Sequence, residues 1–158
     1  MKYKTEDGRF GRSIFVRILP GEDLMISIKQ ICSEKNIQFA YIGTCLGSLK
    51  KVRFVYALTD EDSYFKLRYS EPVVMEGPME FLSAQGMIAK DEEGTYQCHL
   101  HAMFSDEEMK VYGGHLLDEG NIVLATMDMV INEVVDVDIK RNYHKPSGFY
   151  FFEPAREE

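Results

Sequence analysis

Three of the chain's four histidines fall in one stretch, Cys98-His99-Leu100-His101-Ala102-Met103-Phe104 followed by Gly113-Gly114-His115-Leu116. Neutral imidazole nitrogen binds zinc and similar divalent ions at about 2.0–2.1 Å, and three such ligands leave a coordination position open. An open position belongs to catalytic rather than structural metal sites. In a strand, residues i and i+2 share a face, so His99, His101 and Met103 lie on one side and Cys98, Leu100 and Ala102 on the other. Ser105 to Lys110 is short and polar, which predicts an antiparallel hairpin returning through Val111 to Leu117. His115 faces His99 or His101 when the paired residue numbers sum to 214 or 216. The facing Cβ atoms would then be about 4.5–5.5 Å apart. Gly113 and Gly114 leave room beside the ligands for a metal, water or substrate. Each ligating histidine needs an acceptor for its other N–H, for which Glu80, Asp106, Asp128 and Glu133 are candidates. His144, beside Lys145-Pro146, reads as an unrelated loop residue.

The elements that must position these residues are mostly strands. Ser13 to Leu19 is rich in β-branched and aromatic residues and stops at Pro20-Gly21, the pattern of a strand. Glu22 and Asp23 precede Leu24, Ile28, Ile31 and Cys32, one apolar stripe of an amphipathic helix over about residues 22–36. Asn36 is its stop. Phe39 to Ile42 is a short strand, and Gly43 to Ser48 a glycine-punctuated turn. No phosphate loop is present, since the terminal G-K-[ST] is missing. From Lys51 the periodicity is two: strands are expected over Lys51–Ala57, Tyr64–Tyr69, Val73–Met75, Met79–Ala89 with Gly86 as a bulge, Thr95–Phe104, Val111–Leu117 and Ile122–Val137. Phe149-Tyr150-Phe151-Phe152 is too apolar for a free end and is expected to pack as a strand or at a subunit contact. One helix against many antiparallel strands makes an α+β fold, and 158 residues make one domain.

Composition narrows the function. With 18 basic and 26 acidic residues the formal charge is −8, which opposes binding to duplex DNA by counterion release. Two small basic clusters, Lys50/Lys51/Arg53 and Lys140/Arg141/Lys145, read as solvated strand ends or loops. No apolar run reaches the about 18–20 residues of a membrane helix. The start lacks the apolar segment of a secretory signal, so a cytoplasmic protein is expected. Cys32, Cys45 and Cys98 form no disulfide framework and are read as buried free thiols.

Four segments together resemble the plant-and-prokaryote conserved (PPC) domain, the domain joined to AT-hooks in plants and found alone in prokaryotes. They are Arg17 to Leu24, Gly47-Ser48-Leu49, Glu76 to Ser83 with Gly86, and the histidine stretch from His99 to Leu116. The resemblance covers about residues 12–137, leaving 138–158 as a C-terminal strand and tail. It implies a compact α+β homotrimer with a three-histidine metal unit, here His99, His101 and His115, holding a divalent ion, zinc by the ligand type. It also implies a DNA-associated regulator acting through assembly as an alternative, although Gly8-Arg9-Phe10-Gly11-Arg12 lacks the Arg-Gly-Arg-Pro core of an AT-hook. The fold further looks similar to acetolactate decarboxylase, which implies a second alternative, a metal-dependent lyase or hydrolase on a small carboxylate. In that case Arg17 or Arg53 is the candidate for binding the carboxylate, and Glu80 the candidate general base.

Overall fold

The computed structural model describes residues 4–154. The first residues, Met1-Lys2-Tyr3, on which the leader reading partly rests, and the end of the tail, 155–158, lie outside the described residues. The chain runs β1 (Arg9–Ile18), α1 (Leu24–Glu34), β2 (Phe39–Val55), β3 (Ala57–Thr59), β4 (Leu67–Tyr69), β5 (Val73–Lys90), β6 (Tyr96–Ser105), β7 (Val111–Leu116), β8 (Ile122–Val135), β9 (Ile139–His144) and β10 (Phe149–Pro154). One antiparallel sheet has the order β1-β8-β2-β5-β6-β7. The far end of β2 also pairs with β7, Phe54 with Leu116 and Val55 with His115, which closes β2, β5, β6 and β7 on themselves. The rest is two small hairpins, β3–β4 and β9–β10. The α+β expectation holds.

Helix α1 begins where the sequence places its acids. Asp23 is the N-cap, its Oδ1 accepting from the Met25 and Ile26 amides at 2.9 and 3.2 Å. Its Oδ2 accepts from the Gly120 and Asn121 amides, so one carboxylate ties the helix start to the β7–β8 turn. At the other end Asn36 takes φ +52°, and the Asn36 and Ile37 amides donate to the Ser33 and Cys32 carbonyls, a Schellman stop. Leu24, Met25, Ile28 and Cys32 are buried on the sheet side. There they join a core that includes Ile42, Leu49, Phe81, Leu100, Phe104 and Met129. The three thiols are free and buried, as expected.

Several local expectations are corrected. Gly43–Ser48 is not a turn but the middle of the 17-residue strand β2. Its glycines sit at irregularities in the pairing with β8, between Ile42 and Thr44 and between Gly47 and Leu49. At Gly47 a side chain would collide with the Thr126 carbonyl. Val73–Met75 and Met79–Ala89 are one 18-residue strand, β5. Pro78 is tolerated because β6 begins pairing only at Glu80–Ser105, so its missing N–H removes no β6 ladder bond. Gly86 is not a bulge: Gln85–His101, Gly86–Leu100 and Met87–His99 run in unbroken register, and the shift falls between Phe81 and Ser83. Gly86 is instead a place of close approach, since a Cβ would strike the His99 carbonyl. Of Tyr64–Tyr69 only Leu67–Tyr69 is strand. The second basic cluster is no solvated loop: Lys140 and Arg141 lie in β9, and Arg141 is buried at 6% exposure.

Candidate functional site

The alternation in β6 sorts its side chains by face. Cys98, Leu100, Ala102 and Phe104 are buried in the core, while His99 and His101 point the other way, half-buried and exposed. Tyr96, on the core side, donates its hydroxyl to the Cys32 and Ile37 carbonyls beneath the helix. The outer face is roofed by β9–β10, whose Phe152 lies nearly parallel to His99 with ring centroids 6.3 Å apart. The β6–β7 hairpin forms as expected, in the register that sets His101 opposite His115. His99 reaches the same place from two residues back. The ring centroids are 4.7 Å apart for His99–His115, 4.8 Å for His99–His101 and 5.5 Å for His101–His115.

One nitrogen from each imidazole lies within 4.8 Å of the others, and His99 Nε2 and His101 Nε2 are 2.9 Å apart. Two nitrogens on a tetrahedral zinc, at about 2.0–2.1 Å each, are separated by about 3.3 Å. The cluster needs only side-chain adjustment to fit an ion. His115 Nδ1 is buried and has no hydrogen-bond partner among the described residues. A ring nitrogen left in that condition suits a donor set waiting for a ligand. The electrostatics point the same way. Burial, then the charge of Arg141 and the neighbouring rings, pulls His99 down to about 3. Burial, then His101 and Arg141, pulls His115 down to about 4. Burial lowers His101 as well. All three are therefore neutral at pH 7, the protonation state a metal requires.

The cluster opens into a cleft of about 770 Å³ walled by Phe65, Leu67, Tyr69, Phe149 and Phe152, with Arg141 as its cation. The volume is that of a small-molecule site. Tyr69 stacks on His115 at 5.3 Å and 30°, so aromatic rings brace two of the three imidazoles. Gly114 lines the cleft, but the space beside it is taken by β2: a Cβ there would sit 2.5 Å from the Val55 carbonyl. The glycine is needed for the strand closure that brings His115 inward.

The structure sets none of the four carboxylates proposed as acceptors in the lining of the histidine cleft. Asp106 organises the β6–β7 turn, accepting from the Glu108 and Lys110 amides and the Tyr112 hydroxyl. Asp128 pairs with Arg17 at 3.5 Å and Glu133 with Arg12 at 2.8 Å. Glu80 is exposed on β5 opposite Ser48 and Ser105, five residues along the strand from the partner of His101. That is about 17 Å at the rise of a strand. Arg17 pairs with Asp128, and Arg53 lies 3.6 Å from Glu119, neither lining the cleft. His144 is the last residue of β9, its Nδ1 2.9 Å from the Ser147 hydroxyl. Sequence reasoning missed Tyr69, Phe152 and Arg141. The available signal was the apolar tail itself, which needed a partner strand just upstream of the Ser147-Gly148 turn.

The profile of the Plants and Prokaryotes Conserved (PCC) domain, also written PPC, matches residues 5–135. The chain belongs to this family. The matched segment includes all three clustered histidines and ends before β9. A PPC protein of Pyrococcus horikoshii is 26% identical, covers 98% of this chain and 100% of its own, and superposes with a TM-score of 0.80. A metal-containing protein of Archaeoglobus fulgidus, 21% identical, gives 0.80 with 96% and 99% covered. A Bacteroides thetaiotaomicron protein provisionally described as DNA-binding, 19% identical, gives 0.75 with 94% and 99% covered. The last two likenesses establish the PPC fold alone. Among curated sequences, the bifunctional protein GlmU of a Synechococcus strain is 23% identical over 134 residues, 85% of this chain. The chain spans about a fifth of the length of the curated relatives it matches, 19%.

Proposed function

We propose that this PPC-domain protein is a homotrimer that holds a divalent metal, zinc by its ligand chemistry, on His99, His101 and His115, and binds a small molecule in the adjoining cleft. The observation that carries the reading is the convergence of three neutral imidazoles, within 4.8 Å, at the floor of an aromatic cleft. The description of the Archaeoglobus neighbour as metal-containing agrees with it. When bound, the ion would act as a Lewis acid on a ligand oxygen or lower the pKa of a bound water. The protein's own contribution is to hold the three rings neutral and braced, and to line the approach with apolar side chains. A metal-dependent lyase or hydrolase acting on a small carboxylate is an alternative within this reading, but Glu80, five residues along β5 from the partner of His101 and outside the cleft, is too far away to serve as its base. Residence in the cytoplasm is part of the proposal, in keeping with three unpaired thiols. Among the described residues no helix is long and apolar enough to cross a membrane.

DNA binding enters as a second reading through the description of the Bacteroides neighbour. The net charge of −8 weighs against it. The separating experiment loads the protein with zinc, removes excess ion and counts bound metal in the wild type and in His101→Ala. The expected result is near-stoichiometric zinc in the wild type and its loss in the variant. Equal metal in both overturns the ligand assignment. Retention on duplex DNA against nonspecific competitor at physiological salt would favour the second reading.

A further inference from the structure

Among the described residues Arg141 is the one buried arginine, 6% exposed, and it lines the cleft beside the histidines. A guanidinium taken out of water without a counter-charge loses its hydration uncompensated, which is why such groups are normally paired. None of the ion pairs among the described residues includes Arg141. Its Nη1 donates to the Cys98 carbonyl. Its head lies against the rings of Phe152 and Tyr150, 5.3 and 5.6 Å from their centroids. Its Nε is buried with no acceptor among the described residues. The protein thus holds a cation in place by ring faces and one carbonyl, and leaves a donor of its planar fork unused. That fork matches a carboxylate in two parallel hydrogen bonds.

We propose that Arg141 anchors the carboxylate of the cleft's ligand, and that the ligand is a small organic acid with an apolar or aromatic body. The acid supplies the negative charge that the fold withholds, and its body replaces water against Phe65, Leu67, Tyr69 and Phe149. An apolar wall strengthens the charge pairing by excluding water. The anchor lies on β9, beyond residue 135 where the family match ends, so it is a property of this chain's C-terminal hairpin. The inference rests on the cleft of the proposed function, and it is tested without the metal.

The test is calorimetric titration of the full chain, metal-stripped and zinc-loaded, with 3-phenylpropionate and its uncharged amide. The wild type, Arg141→Gln and Arg141→Lys are compared, with thermal melts to confirm folding. The metal-stripped wild type should prefer the acid by about tenfold or more, the scale of hydrogen bonds to a charged group. The Gln variant should bind acid and amide alike, and the Lys variant, which keeps charge without the fork, should narrow the preference. Should the Gln variant fail to fold, an undiminished preference in the Lys variant overturns the proposal. It is also overturned by acid and amide binding equally to the wild type, by no acid binding at millimolar concentration, or by tighter binding of inorganic phosphate. A preference seen only in the zinc-loaded protein would assign the carboxylate to the metal and remove Arg141 from the role. Conversely, failure of zinc to bind while the metal-free preference persists would sink the metal reading and leave this one standing.

Discussion

His101 on β6 stands directly opposite His115 on β7, paired residue for residue, with ring centroids 5.5 Å apart. A slip of one residue would send one of the two rings to the core face. The site therefore depends on register, and register depends on places where only glycine fits.

Gly86→Ala tests that dependence. A Cβ at Gly86 meets the His99 carbonyl on the neighbouring strand. We expect a loss of about 1–3 kcal/mol, the usual cost of overpacking, together with weakened zinc binding. Urea denaturation and metal titration on the same variant measure both. A variant of wild-type stability would mean that β5 and β6 are less tightly apposed than described.

Asp23→Ala should cost more than an ordinary helix cap. A cap alone is worth about 1 kcal/mol. Here the second carboxylate oxygen also satisfies the Gly120 and Asn121 amides. About 2 kcal/mol or more is expected from urea unfolding, and Asp23→Asn should restore part of it.

Acid should destabilise the metal-stripped protein. Burial holds His99 at about 3 and His115 at about 4 in the fold, below the 6.5 of the free side chain. Above pH 6.5 both states are neutral there and stability is unaffected. As the pH falls from 6.5 towards 4, the unfolded chain takes up protons that the fold refuses, and stability drops. Thermal melts across this range should show the decline, and His99→Gln should flatten it. An unchanged slope in the variant would contradict the assigned cause.

The proposed trimer is tested by light scattering during size exclusion, which should give three times the chain's 18.2 kDa. Phe10 and Phe15 on edge strand β1 are 68% and 72% exposed, apolar surface that a subunit contact would cover. Phe15→Glu is expected to shift the protein towards the monomer, and an unchanged mass would exclude this face as the contact.

Much of this arrangement was legible in the chain. The alternation of β6 and the polar turn announced the hairpin but left its register open; the register that formed is one of the two that set His115 opposite a histidine. The stripe of Leu24, Ile28 and Cys32 behind Asp23 located the helix. The long strands β2 and β5 were not legible, because Gly43, Gly47, Gly77 and Pro78 are local breakers whose cost is absorbed by register shifts and missing partners. Those circumstances exist only once the sheet has assembled. Arg141 was read as solvated for a similar reason. A basic residue between Lys140 and Asn142 carries no local mark of burial, and its roof is made by Tyr150 and Phe152 from the following strand. The carboxylates nominated beside the histidines failed because acid type says nothing of where the sheet will carry each one: Asp128 and Glu133 went to ion pairs, Asp106 to its own turn and Glu80 to a distant part of β5.

The central claim is that His99, His101 and His115 hold one ion together. Crystals grown with zinc, measured on both sides of the zinc absorption edge, test it most directly. The expected result is a single strong anomalous peak per chain, with nitrogen from all three imidazoles at about 2.0–2.1 Å. Absence of a peak there, or a peak held by fewer than the three, would contradict the account.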